Sequence, residues 1–395
     1  MDISGWISDI GSGDWQVFIK RLSANDTGAT GGHQVGIYMP KSVLGRAFPT
    51  LTTPNSKNPD VLFPAAVESH QLPEQQLRAI YYNQGTRDEK RITRWATGMD
   101  YTPLQDAEMT GALALFAFHK PDSGNTDHLR VWVCADLAEE EIVEAHIGEL
   151  DPSDYWFGSG IELTGIIKKA TAAPAVIFPE EWKVHFPSGS EIIAYLFAQG
   201  FYSDLPSDKR LVKRRDQEYK LFMSVESWHT MPLIKAGFES VNDFINIANS
   251  IANRRKSRSG KSLELHLEYI FKEEGLNNFT TQCKTEGNKR PDFIFPDCTA
   301  YQDKSFPVEK LRMLGVKTTV KDRWRQILNE AKRIEKPFLF TLQNGVSINQ
   351  FQEMKDEKVT LVVPAILKLA FPAAIRDEIY SLDQFIKETK ALYES

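Results

Sequence analysis

The sequence predicts two structural classes in one chain: a mainly β N-terminal domain, then an α/β domain on an at least partly parallel sheet. Three observations predict it. Short aromatic and β-branched runs, separated by Gly, Asn, Asp, Ser and Pro, fill residues 1–170. A stretch of small residues and prolines, "ATAAPAVIFPEEWKVHFP", breaks that pattern from Ala170 to Pro187. Beyond Arg254, strand-like runs alternate with helical ones, as βαβ units do.

In the first domain, "WQVFIKRL", "HQVGIYMP", "LRAIYYN", "KRITRW", "GALALFAFH" and "LRVWVCA" predict strands, spaced as in a small barrel or sandwich. The seam falls near residue 175, giving a domain over 1–173, a linker over 174–187 and a second domain over 188–395. Ser188-x-x-Glu191 before "IIAYLF" is a capping box, where hydroxyl and carboxylate each satisfy one unpaired N–H, so a helix starts there. "KSLELHLEYIF" predicts a helix with Leu263, Leu267, Ile270 and Phe271 on one face. "DFIFP", "MLGVKTTV", "PFLFTL" and "VTLVVP" predict strands, the last three separated by helical segments.

With 42% hydrophobic and 25% charged residues, the 395-residue chain has ordinary globular composition and length for two or three domains. No apolar run approaches the ~18 residues of a membrane span, and "MDISGWISDIGSGDW" lacks the basic start and apolar core of a signal peptide. Cys134, Cys283 and Cys298 are odd in number and scattered, which argues against a disulfide framework or a cysteine-rich zinc site and predicts a cytoplasmic protein. Net charge is −6, yet Arg254 to Lys336 holds 19 Lys and Arg against 12 Asp and Glu. A polyanion feels the local surplus, since screening limits exposed charges to about 10 Å. The expected partner is nucleic acid.

"LGVKTTVKDRWRQILNE" concentrates charge where a predicted strand meets a helix whose buried face would be Trp324, Ile327, Leu328, Ala331 and Ile334. Phosphodiester hydrolysis needs a Lewis acid, an activated water and a cation for the developing charge. Asp292, after a proline at a strand start in "RPDFIFP", and Glu330, beside the apolar face, offer two carboxylates for Mg²⁺, which prefers oxygen ligands. Lys317, 25 residues after Asp292 and 13 before Glu330, offers the ammonium. This resembles the PD-(D/E)xK nuclease core, with one departure. Gly315 stands where the pattern has an acid two positions before the lysine, so Glu330 has to supply that carboxylate from the following segment.

Lys321, Asp322 and Arg323 suit G·C pairs, because Lys and Arg donate to guanine O6/N7 and a carboxylate accepts from cytosine N4. The plainer alternative is a solvated helix start with Asp322 as N-cap. In "ANRRKSRSGKSLELHLEYIF", Arg254, Arg255 and Arg258 are candidate phosphate clamps, and Glu264 or Glu268 a candidate accessory acid at the metal site. In the first domain, "KRLSANDTGATGGHQVGIY" offers Lys20, Arg21, Asn25, His33 and Tyr38 for contact with DNA. "TRDEKRITRW" offers Arg87, Glu89, Lys90, Arg91 and Arg94, Glu89 being able to accept from cytosine. A water-facing strand with internal ion pairs is the competing explanation.

Over nearly the whole chain, "FIKRLSANDTGATGGHQVGIYMP", "NRRKSRSGKSLELHLE", "TEGNKRPDFIFP" and "FPVEKLRMLGVKTTVKDRWRQILNEAKRI" resemble the EcoRII-type restriction endonucleases. The resemblance implies a prokaryotic, Mg²⁺-dependent homodimer that cuts both strands of 5′-CC(A/T)GG. It further implies a B3-like N-terminal pseudobarrel that blocks the catalytic cleft until it binds a second copy of the site. Asp292, Lys317 and Glu330 fall on the catalytic positions, and Lys321, Asp322 and Arg323 on the base-reading segment.

Other signals are weaker. "RSGKS" lacks the first P-loop glycine, the position being Arg255, so no nucleotide cofactor is expected. Tyr301 in "CTAYQDKSF" offers a covalent nucleophile, but a loop tyrosine more often packs. The alternative from another class is a DNA-binding regulator with a degenerate nuclease fold, which has no need of Asp292, Lys317 and Glu330 together.

Overall fold

The computed structural model describes residues 1–31, 36–52, 56–85, 88–98, 100–120, 124–164, 177–321 and 323–393, apart from six side chains of one long helix. In the N-terminal half α1 (Ile3–Gly11) leads into β1 (Trp15–Arg21), β2 (Ile37–Tyr38), α2 (Lys41–Ala47), β3 (Asp60–Val67), β4 (Gln75–Tyr82) and β5 (Glu89–Thr93). Then follow β6 (Leu113–His119), β7 (Leu129–Val133), α3 (Leu137–Ile147), β8 (Tyr155–Ser159) and α4 (Gly160–Leu163). These strands form one sheet in the order β2-β5-β4-β3-β7-β6-β1-β8, antiparallel except between β3 and β7. The end strands do not pair with each other among the described residues, so the sheet does not close into a barrel by hydrogen bonds. Its ends nevertheless share one core, Ile37 of β2 and Ile92 of β5 packing in the same cluster as Phe18 of β1. The sheet is therefore curled. On its other face Trp6, Ile7 and Ile10 of α1 cover Val17, Leu113 and Leu115.

Sequence patterning missed β3 because Pro64 interrupts it. β7 pairs with β3 only from Ala65 onward, so the proline lies just outside that ladder and costs no bond there.

The C-terminal half begins with α5 (Gly189–Ala198), whose Ser188–Glu191 capping box is formed as predicted. Two long helices follow, α6 (Ser207–Ala236) and α7 (Val241–Glu273). Next come β9 (Thr280–Thr281), β10 (Phe293–Phe295), α8 (Cys298–Gln302), β11 (Arg312–Lys317), β12 (Phe338–Thr341), α9 (Ile348–Asp356), β13 (Thr360–Val363), β14 (Tyr380–Ser381) and α10 (Leu382–Ala391). The sheet runs β14-β13-β12-β11-β10-β9, parallel from β11 to β14 and antiparallel at its β9–β10 edge. Leu263, Leu267, Ile270 and Phe271 of α7, with Leu382 and Phe385 of α10, cover one face. Trp324, Ile327, Ala331, Ile334 and Phe351 cover the other. This is the predicted α/β architecture.

Three expectations need correction. The segment after β11 is a 3₁₀ helix, Trp324–Asn329, and not an amphipathic α-helix, although its apolar face is the expected one. The spacing 324–327 stacks on one side of either helix, so it does not distinguish them. The second half of the presumed linker is packed, with Trp182 buried against Ile192, Leu196 and Phe222. Cys283 and Cys298 form a disulfide, because β9 and the start of α8 flank β10 and bring two residues 15 apart in sequence together.

The two halves touch along a polar seam. Ala24 N donates to the Asn344 carbonyl (3.0 Å), Asn344 Nδ2 to the Pro152 carbonyl (3.1 Å), and Arg215 pairs with Asp151 at 2.8 Å. Gly345, at φ +99°, sits where an added Cβ would come within 2.4 Å of Ala24 Cβ, so only glycine allows this approach. Among the described residues no helix is long and apolar enough to cross a membrane.

Candidate active site

Lys317 is the last residue of β11, at the carboxyl end of the parallel strands where open α/β sheets place ligands. Asp292 directly precedes β10, the antiparallel neighbour of β11. Its Oδ2 accepts from Val316 N at 2.7 Å, which fixes the carboxylate beside Lys317. Gly315, on the same face as Lys317, explains the departure from the nuclease pattern. A Cβ there would lie 2.6 Å from Ile327 Cγ2, so the position has no room for an acid. Glu330, just after the 3₁₀ turn that Ile327 anchors, brings its carboxylate within electrostatic reach of Asp292 and Lys317.

Glu264 of α7 is the fourth member. Gln282 Nε2 donates to Glu264 Oε2 and Asp292 Oδ1, at 3.3 Å each, so these two carboxylates share one amide. Burial, then the charge of Asp292, push both Glu264 and Glu330 up to about 7, while Lys317 pulls each the other way. Burial also raises Asp292, against the Val316 N–H and Lys317. Three carboxylates and the Lys317 ammonium thus feel one another strongly, with Lys261 and Lys289 also lowering Glu264 and Glu330 respectively.

The donor set is all oxygen and fits a hard divalent cation rather than zinc. Among the described residues no three His, Cys, Asp or Glu side chains are placed to hold a metal ion by themselves. Mg²⁺ is compatible with that, since it keeps several waters and uses one or two carboxylates plus phosphate oxygens.

Of the other predicted residues in this half, only some reach the site. Glu268 pairs with Lys272 on the surface at 2.7 Å and stays outside it. Arg255 binds Glu226 of α6, Arg258 binds Glu218 (3.3 Å), and Arg254 lies over Phe186 at 4.7 Å. These three arginines tie α7 to its neighbours and are not free clamps in this conformation. Tyr301 is 3% exposed and donates to both carboxylate oxygens of Glu286 (2.7 and 2.8 Å), as a packing tyrosine does. Asp322 lies outside the described residues. Lys321 and Arg323 point at the N-terminal half: Lys321 Nζ donates to the Ala135 carbonyl (3.1 Å), and Arg323 lies 4.0 Å from Glu144 of α3. A cavity of about 540 Å³ opens here, with Glu141, Glu144 and Glu149 on one wall and Glu264, Lys317 and Arg323 on the other.

The candidate residues of the N-terminal half are largely engaged internally. Arg21 is 2% exposed and spends its guanidinium on Glu140, Glu144 and the carbonyls of Leu150 and Gly111, so it holds β1 to α3 and is no DNA contact. Lys20 pairs with buried Asp26 at 2.7 Å, and Asp26 also shapes the loop by accepting from Ser23 N and Tyr38 N. Arg91 binds Glu89 and the Gly36 carbonyl, and Lys90 is buried against the Tyr81 ring. Arg94 and Tyr38 are exposed, Asn25 is half-buried, and His33 and Arg87 lie outside the described residues. Sequence reasoning ranked Glu264 equal with Glu268 and missed Gln282. The one signal for Gln282 was its position just after a strand that pairs beside Asp292.

Comparison with known proteins gives the family of the chain. Residues 11–161 match the model "Restriction endonuclease EcoRII, N-terminal", and residues 222–386 match "EcoRII C terminal". The Escherichia coli protein "Type II restriction enzyme EcoRII" is 48% identical over 395 residues, covering 98% of this chain and 97% of its own. Two structures of metal-depleted Ecl18kI with uncleaved DNA, modified in one case, align at 19% identity with TM-scores of 0.45 and 0.44. They cover 54% and 55% of this chain and 82% and 86% of theirs. The chain belongs to the EcoRII family and is a type II restriction endonuclease, a DNA-cutting enzyme.

Proposed function

We propose that this enzyme is a Mg²⁺-dependent homodimer that cuts both strands of 5′-CC(A/T)GG in the cytoplasm, and that residues 1–173 form a B3-like effector domain for a second copy of that site. Asp292 and Glu330 are the residues to hold the cation, with Glu264 close enough to assist. A bound Mg²⁺ supplies a Lewis acid for the phosphate and a water that ionises near neutral pH. Lys317 carries the positive charge that offsets charge building on the scissile phosphate, and its place at the strand end fixes it without a mobile loop. Lys321, Asp322 and Arg323 read the G·C pairs flanking the centre, while Arg94, Tyr38 and Asn25 remain the accessible effector-side contacts.

The geometry further supports an enzyme held shut. One observation carries this: Ala135 and Glu144, at and in α3, engage Lys321 and Arg323, and the glutamates of α3 wall the cavity that contains Lys317. DNA entering the cleft has to displace α3. Negative side chains occupy the basic segment that phosphates and guanines would occupy. Deleting residues 1–175 is expected to yield an enzyme that cuts single-site plasmid as fast as two-site plasmid. A truncated enzyme that still needs two sites contradicts the autoinhibited reading and leaves the catalytic assignment standing.

A further inference from the structure

We infer that Gln282 is a positioning residue of the catalytic centre: its amide aims Glu264 and Asp292 at one point and sets how tightly the divalent cation is held. The inference rests on the metal-site reading above and adds a residue to it.

Three independent features meet at this side chain. The first is the contact. One amide nitrogen carries two hydrogens, and Gln282 Nε2 gives one to Glu264 Oε2 and the other to Asp292 Oδ1, both at 3.3 Å. These carboxylates come from α7 and from the start of β10, elements with no local sequence relation, and Gln282 is the only residue hydrogen-bonded to both among the described residues. A neutral donor suits the task. It holds the two carboxyl groups toward a common centre yet adds no charge of its own, whereas a lysine would neutralise them.

The second feature is backbone strain. Gln282 has φ +52°, the left-handed region that a non-glycine residue enters only at a cost. That conformation turns the side chain off the β9 edge and over the site. Glycine would adopt this conformation at less cost, so the glutamine side chain has to offset the strain through its contacts.

The third is the anchoring on either side. Gln282 N donates to the Asp292 carbonyl at 3.3 Å, tying the residue to the strand start that it serves. Its neighbour Cys283 is disulfide-bonded to Cys298 at the head of α8, and Cys298 N donates to Thr280 Oγ1 at 3.2 Å. The segment is stapled at both ends while Gln282 is exposed between them, on the open side of the cluster.

Gln282→Gly separates a positioning role from a structural one. Glycine accepts φ +52° more readily, so the melting temperature of the metal-free full-length protein is expected to stay level or rise. Mn²⁺ binding, followed by electron paramagnetic resonance without DNA, is expected to weaken about tenfold, the usual scale for outer-shell support of a metal ligand. The Mg²⁺ concentration for half-maximal cleavage should rise in parallel, with the rate at saturating Mg²⁺ falling less. Gln282→Leu, of similar length but without donors, should behave alike. If Asp292→Ala abolishes Mn²⁺ binding and Gln282→Gly binds within twofold of the parent, this inference fails alone. If both variants bind Mn²⁺ like the parent, the metal-site reading fails and takes the inference with it.

Discussion

Two clusters of charge flank helix α7, one built on Glu218 of α6 and one on Glu264 of α7 itself, and they behave in opposite ways. On the side facing α6, Glu218 is fully buried and accepts from Arg258, Ser262 (2.5 Å) and His266 (3.2 Å). Burial opposes its charge, but the His266 hydrogen bond and the Arg258 guanidinium prevail and hold it at about 2. On another side, Glu264 meets Asp292 and Glu330 and is pushed up to about 7. Donors and a guanidinium outweigh burial at the first glutamate; at the second, burial and Asp292 outweigh Gln282, Lys261 and Lys317. The difference supports the proposed division: the Glu218 charge is satisfied within the fold, whereas the raised Glu264 carboxyl is the kind of group that marks a candidate functional site.

The largest stability effect should come from the satisfied cluster. Glu218→Ala leaves Arg258 and His266 facing a void, a loss of about 3–5 kcal/mol, or on the order of 10 °C in melting temperature. Calorimetry reads it directly, and a loss under about 1 kcal/mol would mean that the cluster is no clasp. The sign of the pH effect follows from the same group. Its folded pKa of about 2 lies below the ordinary 4.5, so its contribution is whole above 4.5 and disappears as pH falls toward 2.

A smaller effect is expected at Gly315. Gly315→Asp restores the acid of the common nuclease pattern but drives it into Ile327, at a cost of about 1–3 kcal/mol in thermal unfolding. Combined with Glu330→Ala it should not restore cleavage. A double variant that cuts would show that the sheet can carry the acid after all. The smallest effect belongs to Glu268, half-buried and paired with exposed Lys272. Glu268→Ala should change stability by less than about 0.5 kcal/mol and leave the cleavage rate unchanged.

What the sequence shows of this molecule follows the same division. Asp292 and Lys317 were legible because each sits at a strand end that patterning can find, and Glu330 because it lies beside an apolar stripe. Several basic residues of both halves were legible as charge, but their partners inside the protein were not. Arg21 pairs with Glu140 and Glu144, more than 100 residues away, and Arg258 with Glu218, 40 away, so their partners are invisible to local reading. The disulfide was hidden for a related reason, since only the β9–β10 pairing brings Cys283 to Cys298. Sequence likeness carried the reading of the N-terminal half, because its charged strands alone do not distinguish a DNA face from internal ion pairs.

Cleavage of a two-site plasmid by Asp292→Ala, with cognate duplex binding measured on the same preparation, tests the catalytic cluster most directly. The expected result is duplex binding like the parent and a cleavage rate below about one thousandth of it at any Mg²⁺ concentration. Cleavage at the parental rate would mean that the crowded carboxylates of α7, β10 and the Glu330 turn are not where this enzyme cuts DNA.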